Sequence, residues 1–63
     1  MNRYAVYVRK DNWKEYFHYI ETLNGIKEVR NKYKNIYFSK TTKNWYKIDK
    51  EKNLEYLIKR VDK

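Results

Sequence analysis

The chain has 63 residues and no cysteine, and this combination limits how it can build a stable fold. A domain of this size buries only about 60% of the surface that its unfolded form exposes, so its hydrophobic core must be small. Neither a disulfide nor a thiolate metal site can supplement that core. Two tryptophans, two phenylalanines and eight tyrosines are available to fill it. We therefore expect one small basic domain over residues 1–63, with formation of a homodimer as a further means of stabilisation.

Positive charge is concentrated in the middle of the chain. Sixteen lysines and arginines outnumber eight aspartates and glutamates, which gives a formal net charge of +8. The residues from Arg30 to Ile48 include no carboxylate, but they carry cations interleaved with aromatic rings. Cations attract phosphates and exposed rings stack on bases, so this segment favours an anionic partner such as single-stranded nucleic acid.

Codon usage offers another interpretation of the same composition. An AT-rich genome, such as that of a low-GC bacterium or of its phages and mobile elements, also writes many lysines, asparagines, tyrosines and isoleucines. Codon bias explains less well why the carboxylates avoid residues 30–48. The sequence therefore leaves open whether the positive charge serves a function or only reflects the base composition of the genome.

The first half of the chain reads as a strand followed by a helix. Residues Arg3–Arg9 alternate between apolar and polar positions, which predicts a strand with one face in the core. Asn12 and Glu15 have the spacing of a capping box at a helix start, and Asn24-Gly25 would end that helix. The expected helix carries one apolar stripe, formed by Trp13, Tyr16, Phe17, Ile20 and Leu23.

The second half reads as three strands and a final helix. The expected strands cover residues 26–31, 33–39 and 44–48, separated by polar turns. Asp49 is a candidate N-cap for the final helix. The apolar stripe of that helix would consist of Leu54, Leu57, Ile58 and Val61.

These elements predict a small two-layer α+β domain of order β-α-β-β-β-α. Two amphipathic helices and an antiparallel sheet of about four strands most simply pack with both helices on one face of the sheet. The other face is then uncovered, and strand alternation would place cations and rings on it. A register error of one residue would exchange the inward and outward sets of any strand. The set expected to face the helices is Tyr4, Val6, Val8, Ile36, Phe38, Tyr46 and Ile48. The expected outward set is Arg3, Tyr7, Arg9, Tyr37, Trp45 and Lys47.

An uncovered sheet face with rings among cations predicts a nucleic-acid-binding protein, with single strands favoured and duplex possible. The rings would stack on bases, and the lysines and arginines would contact phosphates, including two lysines of a loop. The alternative is a phage- or mobile-element-type effector that inhibits a host protein, one that is acidic or handles nucleic acid, through the same face. The candidate binding residues are Arg3, Tyr7, Arg9, Lys34, Tyr37, Lys40, Lys43, Trp45 and Lys47.

The sequence predicts no enzyme. His18 is the only histidine and falls on the polar side of its expected helix, so it reads as a solvated residue rather than a general base. Carboxylates at metal-ligand spacing are absent from the sequence, and one glycine cannot form a phosphate-binding loop, so we expect no metal and no cofactor. Apolar runs of transmembrane length and a signal peptide are also lacking, which predicts a cytoplasmic protein without membrane contact.

Overall fold

A computed structural model describes residues 2–10 and 16–61, which form a five-stranded antiparallel sheet with one short helix on one of its faces. The spatial order of the strands is β2-β1-β5-β4-β3, and every neighbouring pair is antiparallel. The longest strand, β1, pairs with β5, which lies in the middle of the sheet. The elements are β1 (Arg3–Lys10), β2 (His18–Asn24), α1 (Ile26–Lys32), β3 (Tyr37–Ser39), β4 (Asn44–Asp49) and β5 (Leu54–Arg60).

The expected α+β domain with two helices and about four strands is therefore wrong. Strand β1 lies where its alternation predicts it, but β5 occupies the position of the expected final helix. The helical spacing of the leucines in β5 misleads because this strand pairs on both edges and carries large apolar side chains on both faces. Tyr56 and Ile58 pack against the core, while Leu57 is half-buried on the opposite face. The sequence of a strand with apolar side chains on both faces shows a continuous apolar run rather than an alternation of apolar and polar residues.

The expected first helix is also overturned where the structure describes it. Residues 18–24 form β2, in which tyrosine, isoleucine and threonine favour the extended backbone. A bulge opposite Val6 and Tyr7 of β1 shifts the register and disturbs the period of two, so the sequence shows a false helical stripe. The proposed capping box of Asn12 and Glu15 lies outside the described residues.

The segment expected as a strand over residues 26–31 is helix α1. Gly25 precedes it with φ +85° and ψ 155°, a conformation open essentially to glycine alone, so the glycine begins a helix instead of ending one. Glu28 in the first turn accepts a hydrogen bond from the Asn24 backbone N–H at 3.2 Å. Arg30 and Lys32 in the last turn complement the negative end of the helix dipole.

The core lies between α1 and the sheet. Val6, Val29 and Ile58 are completely buried. Tyr4, Leu23 and Tyr33 complete the buried cluster, and four half-buried side chains pack around it: Ile26, Ile36, Trp45 and Tyr56. The part of the chain that the structure describes has no helix long and apolar enough to cross a membrane.

Glu21 of β2 connects the end of α1 to the sheet. Its carboxylate accepts hydrogen bonds from the Lys32 ammonium at 2.7 Å and from the Tyr33 hydroxyl. The Lys32 and Tyr33 hydrogen bonds hold the pKa of Glu21 below its ordinary value. Burial, together with the negative charge of Glu21, raises the pKa of Tyr33. This contact fixes the helix end beside the candidate site.

Candidate nucleic-acid interface

The two faces of the sheet carry different side chains. We call the face under α1 the helix side and the opposite face the open face. Trp45 lies opposite Ile58, and Lys47 lies opposite Tyr56, so both are on the helix side. The expectation that they point away from the helices with Tyr37 is therefore wrong, since β4 is shifted by one residue relative to the predicted register.

The same shift moves two expected core residues of β4 outward. Tyr46 lies opposite Leu57, and Ile48 lies opposite Glu55, which places both on the open face. Ile48 is accordingly 44% exposed. Large side chains occur on both faces of β4, so the hydrophobic pattern alone does not distinguish the two registers.

Two neighbouring depressions on the helix side form what we call the basic groove. The larger has a volume of about 480 Å³, within the range of ligand-binding pockets, and the smaller a volume of about 290 Å³. The Arg30 guanidinium lies over the Trp45 ring at 5.2 Å and joins the smaller depression to the larger. The larger is lined by Tyr4, Phe38, Thr42, Lys43, Asn44, Trp45 and Arg60, and the smaller by Arg30, Tyr33, Lys34, Asn35 and Ile36.

An exposed pair of rings lies in the larger depression. Phe38 of β3 and Trp45 of β4 are directly opposite in the strand register. Their ring centroids are 5.1 Å apart and the rings are tilted by 57°. Phe38 is 45% exposed, while Trp45 is half-buried against the core. The arrangement offers an accessible Phe38 ring beside a Trp45 ring that the core holds in place and leaves partly accessible.

The residues that line the two depressions in the described part of the chain include cations and no carboxylate. Lys43 is at φ +63° in the β3–β4 loop, where its N–H donates to the Ser39 carbonyl at 2.7 Å. The Lys47 ammonium donates to the Lys34 carbonyl at 2.6 Å, and this contact joins β4 to the segment that follows α1. Lys40 is exposed in the β3–β4 loop. The groove is therefore a positively charged, partly aromatic surface.

The open face carries a continuous row of large side chains that we call the tyrosine row. The strand pairing aligns one residue from each of the five strands: Tyr19, Tyr7, Leu57, Tyr46 and Tyr37. The rings of Tyr7 and Tyr19 meet edge to face at 5.8 Å. The rings of Tyr37 and Tyr46 stack at 5.9 Å with an interplanar angle of 27°.

One of the two arginines on the open face is paired with a carboxylate. Arg9 forms an ion pair with Glu55 at 2.9 Å, and its guanidinium lies 4.4 Å from the centre of the Phe17 ring. Arg3 is exposed near the end of β1. This face is thus more aromatic and less charged than the basic groove.

The structure separates the candidate residues into two groups. Lys34, Lys43 and Trp45 line the basic groove, with Lys47 beside it and Lys40 in the neighbouring loop. The remaining candidates are on the open face: Arg3, Tyr7, Arg9 and Tyr37.

Sequence reasoning missed three groove residues. Phe38 was assigned to the core, although it is almost half exposed. Arg30 was recognised only as the start of the segment without carboxylates, because a strand was expected where α1 lies. Arg60 was placed on a helix, whereas β5 brings it to the larger depression. The absence of acids from residues 30–48 was the only signal that could have indicated this side.

Comparisons with known proteins supply no further assignment. No protein-family model matches the chain, and neither a curated protein nor a solved structure shows significant similarity to it. Among residues 2–10 and 16–61, no group of three or more acidic or histidine side chains could hold a metal ion. Function is therefore argued from the geometry of the two faces.

Proposed function

We propose that this chain binds single-stranded nucleic acid in the basic groove and acts in the cytoplasm. The observation that carries the proposal is the exposed Phe38–Trp45 ring pair, which lies among cations in a lining without carboxylates. Bases stack on Phe38 and on the accessible part of Trp45, while phosphates contact Lys43 and Arg30.

A single strand fits this groove better than a duplex does. The rings lie within depressions, so a base must leave its stack to reach them, and unpaired bases do so at the lowest cost. The cations at the rim can attract duplex phosphates, but such contact would leave the rings unused. We therefore expect single strands to be favoured over duplex of equal length.

The expected affinity is moderate. Stacking of one base contributes on the order of 1–3 kcal/mol, so two stacked bases give about 2–6 kcal/mol. A micromolar Kd corresponds to about 8 kcal/mol, and phosphate contacts must supply the rest. Because phosphate contacts release counterions, the affinity should fall steeply between about 50 and 200 mM salt.

Adjacent residues of β3 provide a matched test of the site. Phe38 and Tyr37 are exposed to similar extents, 45% and 50%, but their side chains lie on opposite faces of the sheet. Binding of labelled single-stranded RNA and DNA is measured by fluorescence anisotropy. Phe38→Ala should weaken binding by about 5- to 150-fold, as expected for one stacked base, while Tyr37→Ala should bind as the unmodified protein does. Equal losses in both variants, or a loss in Tyr37→Ala alone, would refute the assignment to this groove.

Two lysines test the phosphate contacts. Lys43 is at the groove, whereas Lys52 is in the turn at the opposite end of β4, and both are exposed. Lys43→Asn removes the charge and places asparagine, which tolerates positive φ, at this position. Lys52→Asn is the control, since it removes the same charge away from the groove. Only Lys43→Asn should reduce the slope of log Kd against log salt by about 0.7. Identical slopes in the two variants would mean that the charge acts without a defined contact.

A further inference from the structure

The tyrosine row is unusual because it crosses all five strands without a charged residue. Its central member, Leu57, lies on β5, with tyrosines of β1 and β2 on one side and of β4 and β3 on the other. Tyr37 and Tyr19 at its two ends are 50% and 59% exposed. The structure gives this row no covering element on the open face within the described residues. A large aromatic surface of this kind is typical of a protein–protein interface.

Two of the tyrosine hydroxyls in the row already have a hydrogen-bond partner within the chain. The Tyr19 hydroxyl is 2.7 Å from the Thr22 hydroxyl, and the Tyr46 hydroxyl is 2.9 Å from the Thr42 hydroxyl. A buried hydroxyl without a partner costs about 1–3 kcal/mol, and these two contacts avoid that cost when the rings are covered.

Charge on this face is compatible with a second copy of the same chain. In the strands that the structure describes, the register places Arg3, Arg9 and Lys59 on the open face, and Arg9 is paired with Glu55. On β5, Glu55 and Lys59 are two residues before and two residues after Leu57 on the open face. A two-fold axis along the tyrosine row would therefore place Lys59 of each copy opposite the Arg9–Glu55 pair of the other, where the Glu55 carboxylate can accept a second contact.

We propose that the open face binds a second copy of this chain, with the two tyrosine rows in contact across a two-fold axis. Five strands at about 4.8 Å and three side-chain rows at about 7 Å give a contact of about 24 by 20 Å on each copy. The total buried area is then about 1,000 Å², at the lower limit of specific interfaces. The dimer is accordingly weak and depends on concentration, and it leaves the basic groove of each copy accessible.

Analytical ultracentrifugation of nuclease-treated protein at about 150 mM salt tests this interface. The mass should rise with concentration from 8.0 kDa towards that of a dimer. Tyr37→Lys should shift the association to at least tenfold higher concentration, while Phe38→Lys, on the other face of the same strand, should associate as the unmodified protein does. Circular dichroism establishes that both variants remain folded.

A charge reversal separates the proposed contact from general electrostatics. Lys59→Glu and Lys52→Glu reduce the net charge equally, and general repulsion between copies would weaken equally in both. In the proposed dimer, however, Lys59→Glu faces Glu55 and should dissociate the dimer, whereas Lys52→Glu should associate at least as well as the unmodified protein. A monomer at every concentration, association lost on nuclease treatment, or equal behaviour of the two variants would overturn the proposal.

Discussion

Replacing Tyr33 with phenylalanine removes one hydroxyl group that joins α1 to β2. The hydroxyl donates a hydrogen bond to the Glu21 carboxylate, while the ring itself packs 5.3 Å from the ring of Tyr56. Phenylalanine keeps that packing, so the substitution isolates the hydrogen bond. The contact matters for function because α1 carries Arg30 over the groove.

The magnitude follows from the surroundings of Glu21. A hydrogen bond to a charged group contributes about 1.5–3 kcal/mol when it is well buried. The Glu21 side chain is 24% exposed and keeps its ion pair with Lys32, so the expected loss for Tyr33→Phe is about 1–1.5 kcal/mol. A domain of this length has a total stability of about 3–9 kcal/mol, and Tm should fall by about 5–10 °C.

The loss should also depend on pH in a defined direction. The pKa of Tyr33 is raised above its ordinary value of 10.0 in the folded protein. Its contribution to stability is therefore complete below about pH 10 and is lost as pH rises from there through the folded pKa. Because Tyr33→Phe has no such group, the difference in stability between the two proteins should shrink above about pH 10.

Urea unfolding followed by circular dichroism measures this difference at neutral and alkaline pH. Tyr16→Phe serves as the control, since Tyr16 is 89% exposed and its substitution should change stability by less than about 0.5 kcal/mol. A Tyr33→Phe variant as stable as the control, or a difference that does not change with pH, would refute the role given to the hydroxyl.

Three other substitutions test the fold. Ile58→Ala should remove about 2–5 kcal/mol because Ile58 is completely buried, and thermal unfolding should show a much lower Tm, whereas Ile20→Ala at a 43% exposed site should change the Tm little. Gly25→Ala should cost about 1–3 kcal/mol in urea unfolding through backbone strain alone, since an added Cβ meets no atom within 4 Å; a neutral effect would contradict φ +85°. Glu21→Gln should reduce the loss of stability on acidification. The pKa of Glu21 is lowered in the folded protein, so its carboxylate contributes stability above its ordinary pKa of 4.5, and this contribution is lost as the pH falls. An equal loss of stability at acid pH in the variant and the unmodified protein would contradict the pairing.

Local pattern predicted the fold only where one face of an element is buried and the other is exposed. Strand β1 meets this condition on its first residues, with Tyr4 and Val6 in the core and Arg3 outside. The two expected helices fail it for different reasons. Strand β5 carries large apolar side chains on both faces, and β2 contains a bulge, so both show apolar spacing close to that of a helix.

The candidate site depended on strand register, which is weakly specified when both faces of a strand carry large side chains. In β4, Trp45 and Tyr46 are adjacent rings, and the choice between them is made by pairing with Ile58 and Leu57 of β5. That partner had been assigned to a helix, so the register was not available from the sequence. The segment without carboxylates could nevertheless be recognised from the sequence alone, because charge composition does not depend on secondary structure.

The central claim is that a base of a single strand stacks on the Phe38–Trp45 ring pair in the basic groove. A Trp13→Phe variant leaves Trp45 as the only tryptophan, so its fluorescence reports on the groove alone. We would titrate this variant with single-stranded RNA and DNA, and with a duplex of equal length, at about 50 and 200 mM salt. Saturable quenching by the single strands that tracks the anisotropy of the labelled strand is the expected result. Binding without a change in Trp45 fluorescence, or no binding at the lower salt concentration, would contradict the account.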